Sequence, residues 1–90
     1  MLPPGSESDM PHYYFHLRDG IDILLDPEGR ELAGADALAG AALCEARSII
    51  SDDARGGRIL LDQQIDVEDA AGTILHTLRF VDAVEIVHPA

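Results

Sequence analysis

"PHYYFHLRDGIDILLDPEG", residues 11–29, is the stretch on which the fold turns. Its first part alternates: Tyr13, Phe15 and Leu17 project to one face of an extended chain, while His12, Tyr14, His16 and Arg18 project to the other. That pattern predicts a half-buried strand with a wet second face. Asp19-Gly20 is a turn pair, "IDILLD" then supplies a second, more continuously apolar strand, and Asp26-Pro27-Glu28-Gly29 closes it as another turn. The segment therefore reads as a hairpin followed by a short irregular link.

The next pattern has a different period. Leu38, Ala42, Ala46, Ile49 and Ile50 fall within an arc of about 120° at the helical repeat, with Arg47, Ser48, Ser51 and Arg55 opposite. A helix over 35–55 follows, opened at Gly34 or Asp36 and closed by Gly56-Gly57. Beyond it, "RILLDQQIDVED" and "TILHTLRFVDAVEIV" are separated by Ala70-Ala71-Gly72, a second hairpin with Ile65 and Val67 facing in. Residues 81–87 are either a fifth short strand or a helical turn. The fold class read from this is α+β: a small antiparallel sheet in β-β-α-β-β order with one amphipathic helix packed on one face. Residues 1–9, rich in Pro, Gly, Ser and acid, read as a disordered leader, with Met10 an alternative start, so the domain is expected over 10–90.

At 90 residues the chain has room for one domain, which buries roughly 60 to 65% of its unfolded surface. The core must be mostly aliphatic, because Phe and Tyr total four and Trp is absent. Seventeen acids face six arginines and no lysine, for a net charge of −11. Such a surface repels phosphate backbones, so no nucleic-acid partner is expected, and a basic protein is the electrostatically favoured one. Cys44 is the single cysteine, which excludes an intramolecular disulfide and suits a reducing cytoplasm. The sequence contains neither a secretory leader nor an apolar run near the roughly 20 residues of a membrane span, so a cytoplasmic location is expected. The absence of Lys, Asn and Trp hints at a GC-rich bacterial genome.

The titratable cluster of the first strand has the residue types of a chemical site. On a strand His12 and His16 stand roughly 13 Å apart along the chain, whereas zinc needs each nitrogen near about 2.1 Å. No metal site is expected from them, nor from His76 and His88. Tyr14, His16 and Arg18, with Asp19 beside them, could form an acid/base cluster, but nothing in the pattern forecasts a dry pocket around it. Asp19, Asp22, Asp26 and Glu28 miss the register of a calcium loop and read as turn formers. The glycines form no nucleotide-binding pattern, so no cofactor is expected. Cys44, on the polar side of the helix, reads as inert. His12, Tyr14, His16 and Arg18 are left as a candidate interaction face, with no catalytic residue assigned.

Three resemblances bear on these residues. Met10-Pro11 at the start of a strand resembles the layout of the tautomerase superfamily, which would imply Pro11 as an N-terminal base with Arg18 or Arg79 anchoring a carboxylate. "MPHYYFHLRDG", "DPEGREL", the Ala-rich helix and "IDVEDAAGTILHTLRFVDAV" resemble a family of small bacterial proteins opening M-P-x-Y-F-F-H-x-x-D-G with a D-x-E-G-x-E-L link, over residues 10 to about 86. That family carries a domain-of-unknown-function label, so the resemblance implies a domain boundary and a start at Met10 and assigns no catalytic residue. A weaker likeness, resting on "DPEG" after a strand, is to antitoxin-type domains that bind a basic toxin. The functional expectation is a non-enzymatic interaction or regulatory module that binds a protein partner or self-associates through a sheet edge; the alternatives are a small proton-transfer enzyme built on Pro11 and an antitoxin-like acidic partner of a basic protein.

Overall fold

A computed structural model describes residues 11–89. The expected leader and the Met10 start lie outside the described residues. Strand β1 spans His12–Asp19, β2 Asp22–Leu24 and β3 Arg30–Glu31; a 3-10 turn at Ala35–Ala37 leads into helix α1, Leu38–Arg55; β4, Gln63–Asp69, and β5, Ile74–Arg79, follow, and a second 3-10 turn covers Phe80–Asp82. The sheet is antiparallel in the order β2-β1-β4-β5, with β3 pairing on β1 beside β2. The α+β class and the helix between strands are as expected. The tail over 81–87 opens with the 3-10 turn and contains no strand.

The central contact is β1 on β4, paired from Tyr13↔Asp69 to Asp19↔Gln63. Opposed residues share a face, so Phe15 meets Val67 and Leu17 meets Ile65 on the helix side. Leu38, Ala42, Ala46 and Ile50 of α1 are buried against this face, together with Phe80 and Ala83. Alanines at two of the four positions let the helix axis approach the sheet closely. The Arg47 Nε–H donates to the Ala83 carbonyl at 2.8 Å and ties α1 to the second 3-10 turn. The helix packs over β4 and β5, toward one side of the sheet. That offset leaves the β2 side uncovered.

The irregular link expected after the first hairpin is itself partly strand. The chain leaves the sheet after Leu24 and returns at β3, so β2 and β3 share one edge of β1, with a bulged-out segment between them. Gly29 makes this return possible. Its φ is +66°, and a Cβ there would lie 2.6 Å from the Tyr13 carbonyl oxygen and 2.7 Å from His12 Nε2. Gly20, in the two-residue loop joining β1 to β2, has a similar φ of +65° but open space around it.

The two glycines therefore separate backbone strain from steric conflict. Gly20→Ala should cost about 1–2 kcal/mol, the penalty of a left-handed alanine. Gly29→Ala carries the same penalty plus displacement of β1 and should cost about 2–4 kcal/mol. Urea unfolding of both variants measures the difference; equal losses would show that the close approach at Gly29 contributes nothing.

Candidate functional site

Asp26 fills the gap between β2 and β3. Its Oδ2 accepts the Phe15 N–H at 3.1 Å, taking the place of a neighbouring strand's carbonyl. Its Oδ1 accepts the N–H groups of Glu28 at 3.3 Å and Gly29 at 3.0 Å, which closes the Asp-Pro-Glu-Gly turn. Partial burial pushes the Asp26 carboxyl upward, but the N–H bonds from Gly29, Phe15 and Glu28 and the charge of Arg30 outweigh it and hold it below the ordinary carboxylate value. The Asp26 N–H in turn donates to His16 Nδ1 at 3.0 Å. A backbone N–H can only donate, so the ring proton sits on Nε2, which donates to Glu68 Oε1 at 3.1 Å.

Bulging the chain outward opens a groove of about 250 Å³ between this segment and α1. Phe15, Leu17 and Ile65 line it from the sheet, Ile49 and Glu45 from the helix, and Leu24, Leu25, Asp26, Pro27 and Arg30 from the link. The Arg30 guanidinium stands 4.3 Å over the Phe15 ring, with its Nη2 3.1 Å from Glu45 Oε1. Outside the groove the same segment is apolar and open to water: Ile21 is 96% exposed, Leu24 69%, Leu25 61% and Ile23 41%. "IDILLD", read as one continuously apolar strand, is therefore strand only in part. Only Asp22–Leu24 pair, at an edge that α1 does not cover.

The second sheet face also differs from expectation. His16 is only 6% exposed, held between Asp26 and Glu68. Arg18 Nε donates to Asp66 Oδ2 at 3.0 Å, while Gln64 at 2.9 Å and Thr77 at 3.0 Å donate to Asp66 Oδ1. Burial pushes the Asp66 carboxyl upward, but the bonds from Arg18, Gln64 and Thr77 and the Arg18 charge prevail and lower it. Tyr14 stacks on His16 with centroids 6.2 Å apart, and His12 tilts against Tyr14 while its Nε2–H donates to the Glu28 carbonyl at 2.6 Å. Of the four candidate residues, His12, Tyr14 and Arg18 remain partly exposed and His16 is buried. The face is a bonded polar layer rather than a bare wet one, because the β4 carboxylates Glu68 and Asp66 accept from His16 and Arg18.

The residues that the tautomerase layout would need are dispersed. Arg18, Gln64 and Arg79 occupy one cross-strand row, whereas Pro11 precedes the other end of β1. Seven residue steps of extended chain separate Pro11 from Arg18, about 23 Å. Among the described residues no three His, Cys, Asp or Glu side chains group so as to hold a metal ion, and no helix is long and apolar enough to cross a membrane. Cys44 is exposed. Sequence reasoning did not find the groove residues Leu24, Leu25, Arg30, Glu45 and Ile49. One signal was available: an apolar run without alternation, directly after a tight turn and bracketed by acids, suits an edge better than a core.

A family model described as "Domain of unknown function (DUF6894)" matches residues 12–81, from the first residue of β1 into the second 3-10 turn. No curated protein and no solved structure matches the chain.

Because Asp26 and Asp66 are both lowered in the fold, their contribution is complete above the unfolded carboxyl value of about 3.9 and is lost as the pH falls through the lower folded values. Unfolding free energy should be flat near neutrality and fall below about pH 4. Asp26→Ala should cost about 1–3 kcal/mol at neutral pH by stranding the Phe15 N–H, and it should flatten the acid limb. Urea titrations across pH check both; an unchanged acid limb in the variant would remove Asp26 from the account.

Proposed function

The chain belongs to the DUF6894 family, and for this member of it we propose a non-enzymatic binding module that presents β2 and the groove behind it to a protein chain. The observation that carries the reading is the edge itself. Ile21, Ile23, Leu24 and Leu25 are all more than 40% exposed, in one continuous segment beside an apolar groove. Exposed apolar edges are usually blunted or covered, since their free N–H and C=O groups template further pairing. Contiguous apolar surface of this kind marks sites of association. The groove is smaller than the roughly 300–1,000 Å³ typical of small-molecule sites, and its size suits one or two apolar side chains of a docked segment.

The polar layer flanks this surface rather than forming its centre. Ile23 lies opposite Arg18, so it shares the face of Tyr14 and Arg18. A partner seated on β2 can reach both, and His12 and His16 support Tyr14 from either side. The lone exposed thiol of Cys44 is compatible with a reducing cytoplasm as the setting.

The variant Leu24→Asp with Leu25→Asp tests the module. Both side chains are mostly exposed, so the fold should be retained, as the amide spectrum will report. Proteins held by the wild-type chain from the lysate of its own host, or its own dimerisation seen by sedimentation, should be lost in the variant. Retention of the same proteins by both chains would exclude this edge as the docking surface.

A further inference from the structure

We infer that the occupant of this edge is a basic, extended segment of another protein, which adds to β2 as a strand, seats an apolar side chain in the groove and sets Lys or Arg against the carboxylates of the link. The inference rests on the binding-module reading above and adds the partner's chemistry.

Charge carries the argument. Residues 21–28, which form the edge and the groove's outer wall, contain Asp22, Asp26 and Glu28 and no base. Across the groove stands Glu45 on α1. Of the described residues that line the groove the cation is Arg30, and it is already engaged by Glu45 and by the Phe15 ring. Asp26 spends both carboxylate oxygens on Phe15, Glu28 and Gly29. Asp22 and Glu28, both exposed, are therefore the acids on the rim placed to meet a partner.

The same balance disfavours a second copy. A two-fold dimer through β2 sets the same patch against itself, so the three carboxylates of residues 21–28 would face three more, on chains of net charge −11 each. A basic segment removes that repulsion. It also explains how an apolar edge is tolerated: the acids bracketing it repel other copies while attracting a cationic strand. Strand addition gives main-chain hydrogen bonds, and the groove selects an apolar side chain between the cations.

The test uses the 90-residue chain, labelled for amide spectroscopy, with two capped heptapeptides: one alternating arginine with leucine, the other alternating glutamate with leucine. The arginine peptide should shift Ile21–Leu25 and Ile49 and bind at least about tenfold more tightly than the glutamate peptide, and its affinity should weaken severalfold from about 0.05 to about 0.5 M salt. Leu25→Asp makes the chain more acidic, so loss of arginine-peptide binding there would show that the apolar seat is required as well as charge; Leu25→Ser is a second variant that adds no charge. Asp22→Asn with Glu28→Gln should weaken the arginine peptide by about threefold or more. Equal binding of both peptides, shifts centred on other surfaces, or full binding by Leu25→Asp and Leu25→Ser would overturn the inference. If partner retention still depends on Leu24 and Leu25 while the arginine peptide shows no preference, the binding module stands and the basic partner falls; if neither depends on the edge, both fall.

Discussion

One carboxylate holds the distinctive part of this fold together. Asp26 stands where the chain has left the edge of the sheet, and its two oxygens and its N–H connect β1, the Asp-Pro-Glu-Gly turn and His16. Through His16 the connection reaches Glu68 on β4. Without an acceptor at that point the Phe15 N–H would be stranded beside the core, at a cost comparable to a lost hydrogen bond. With it, five residues can bulge outward between β2 and β3 while β1 remains bonded along its length. The groove exists because that bulge is tolerated.

The offset of α1 is the second constraint, and it acts with the first. Ala42 and Ala46 bring the helix down onto β4, β5 and the Phe80 turn, and the Arg47 bond to Ala83 holds it toward that side. A single 18-residue helix, about 27 Å long, cannot also roof the far edge. The apolar side chains of β2 are left without a cover of their own. The open sheet face resolves its polarity internally instead, through Arg18, Gln64 and Thr77 on Asp66 and His16 on Glu68. One face is packed, one is bonded, and the β2 edge leaves apolar side chains open to water.

Much of this was legible in the chain itself. The alternation of Tyr13, Phe15 and Leu17, the turn at Asp19-Gly20, the helical spacing of Leu38, Ala42, Ala46 and Ile50 and the second hairpin around Gly72 are all present as read. The errors lie where burial depends on distant neighbours. "IDILLD" has the composition of a core strand and the exposure of an edge. His16 has the position of a surface residue and is buried, because Glu68, 52 residues later, and Asp26, 10 residues later, supply the partners that let it leave water.

The sequence by itself determined the four main strands and the helix, their order, and the sidedness of β1 and α1, though not the short β3, since these follow from backbone geometry and from side-chain spacings of two and about 3.6 residues. It also determined the charge that any partner must answer. Only the tertiary structure decided that β4 rather than β2 lies centrally beside β1, that Asp26 completes a ladder, and that Leu24, Leu25 and Ile49 enclose a groove. Those features arise from contacts between residues far apart in the chain, where the geometry of approach, and not any local propensity, sets which side chains are covered and which remain in water.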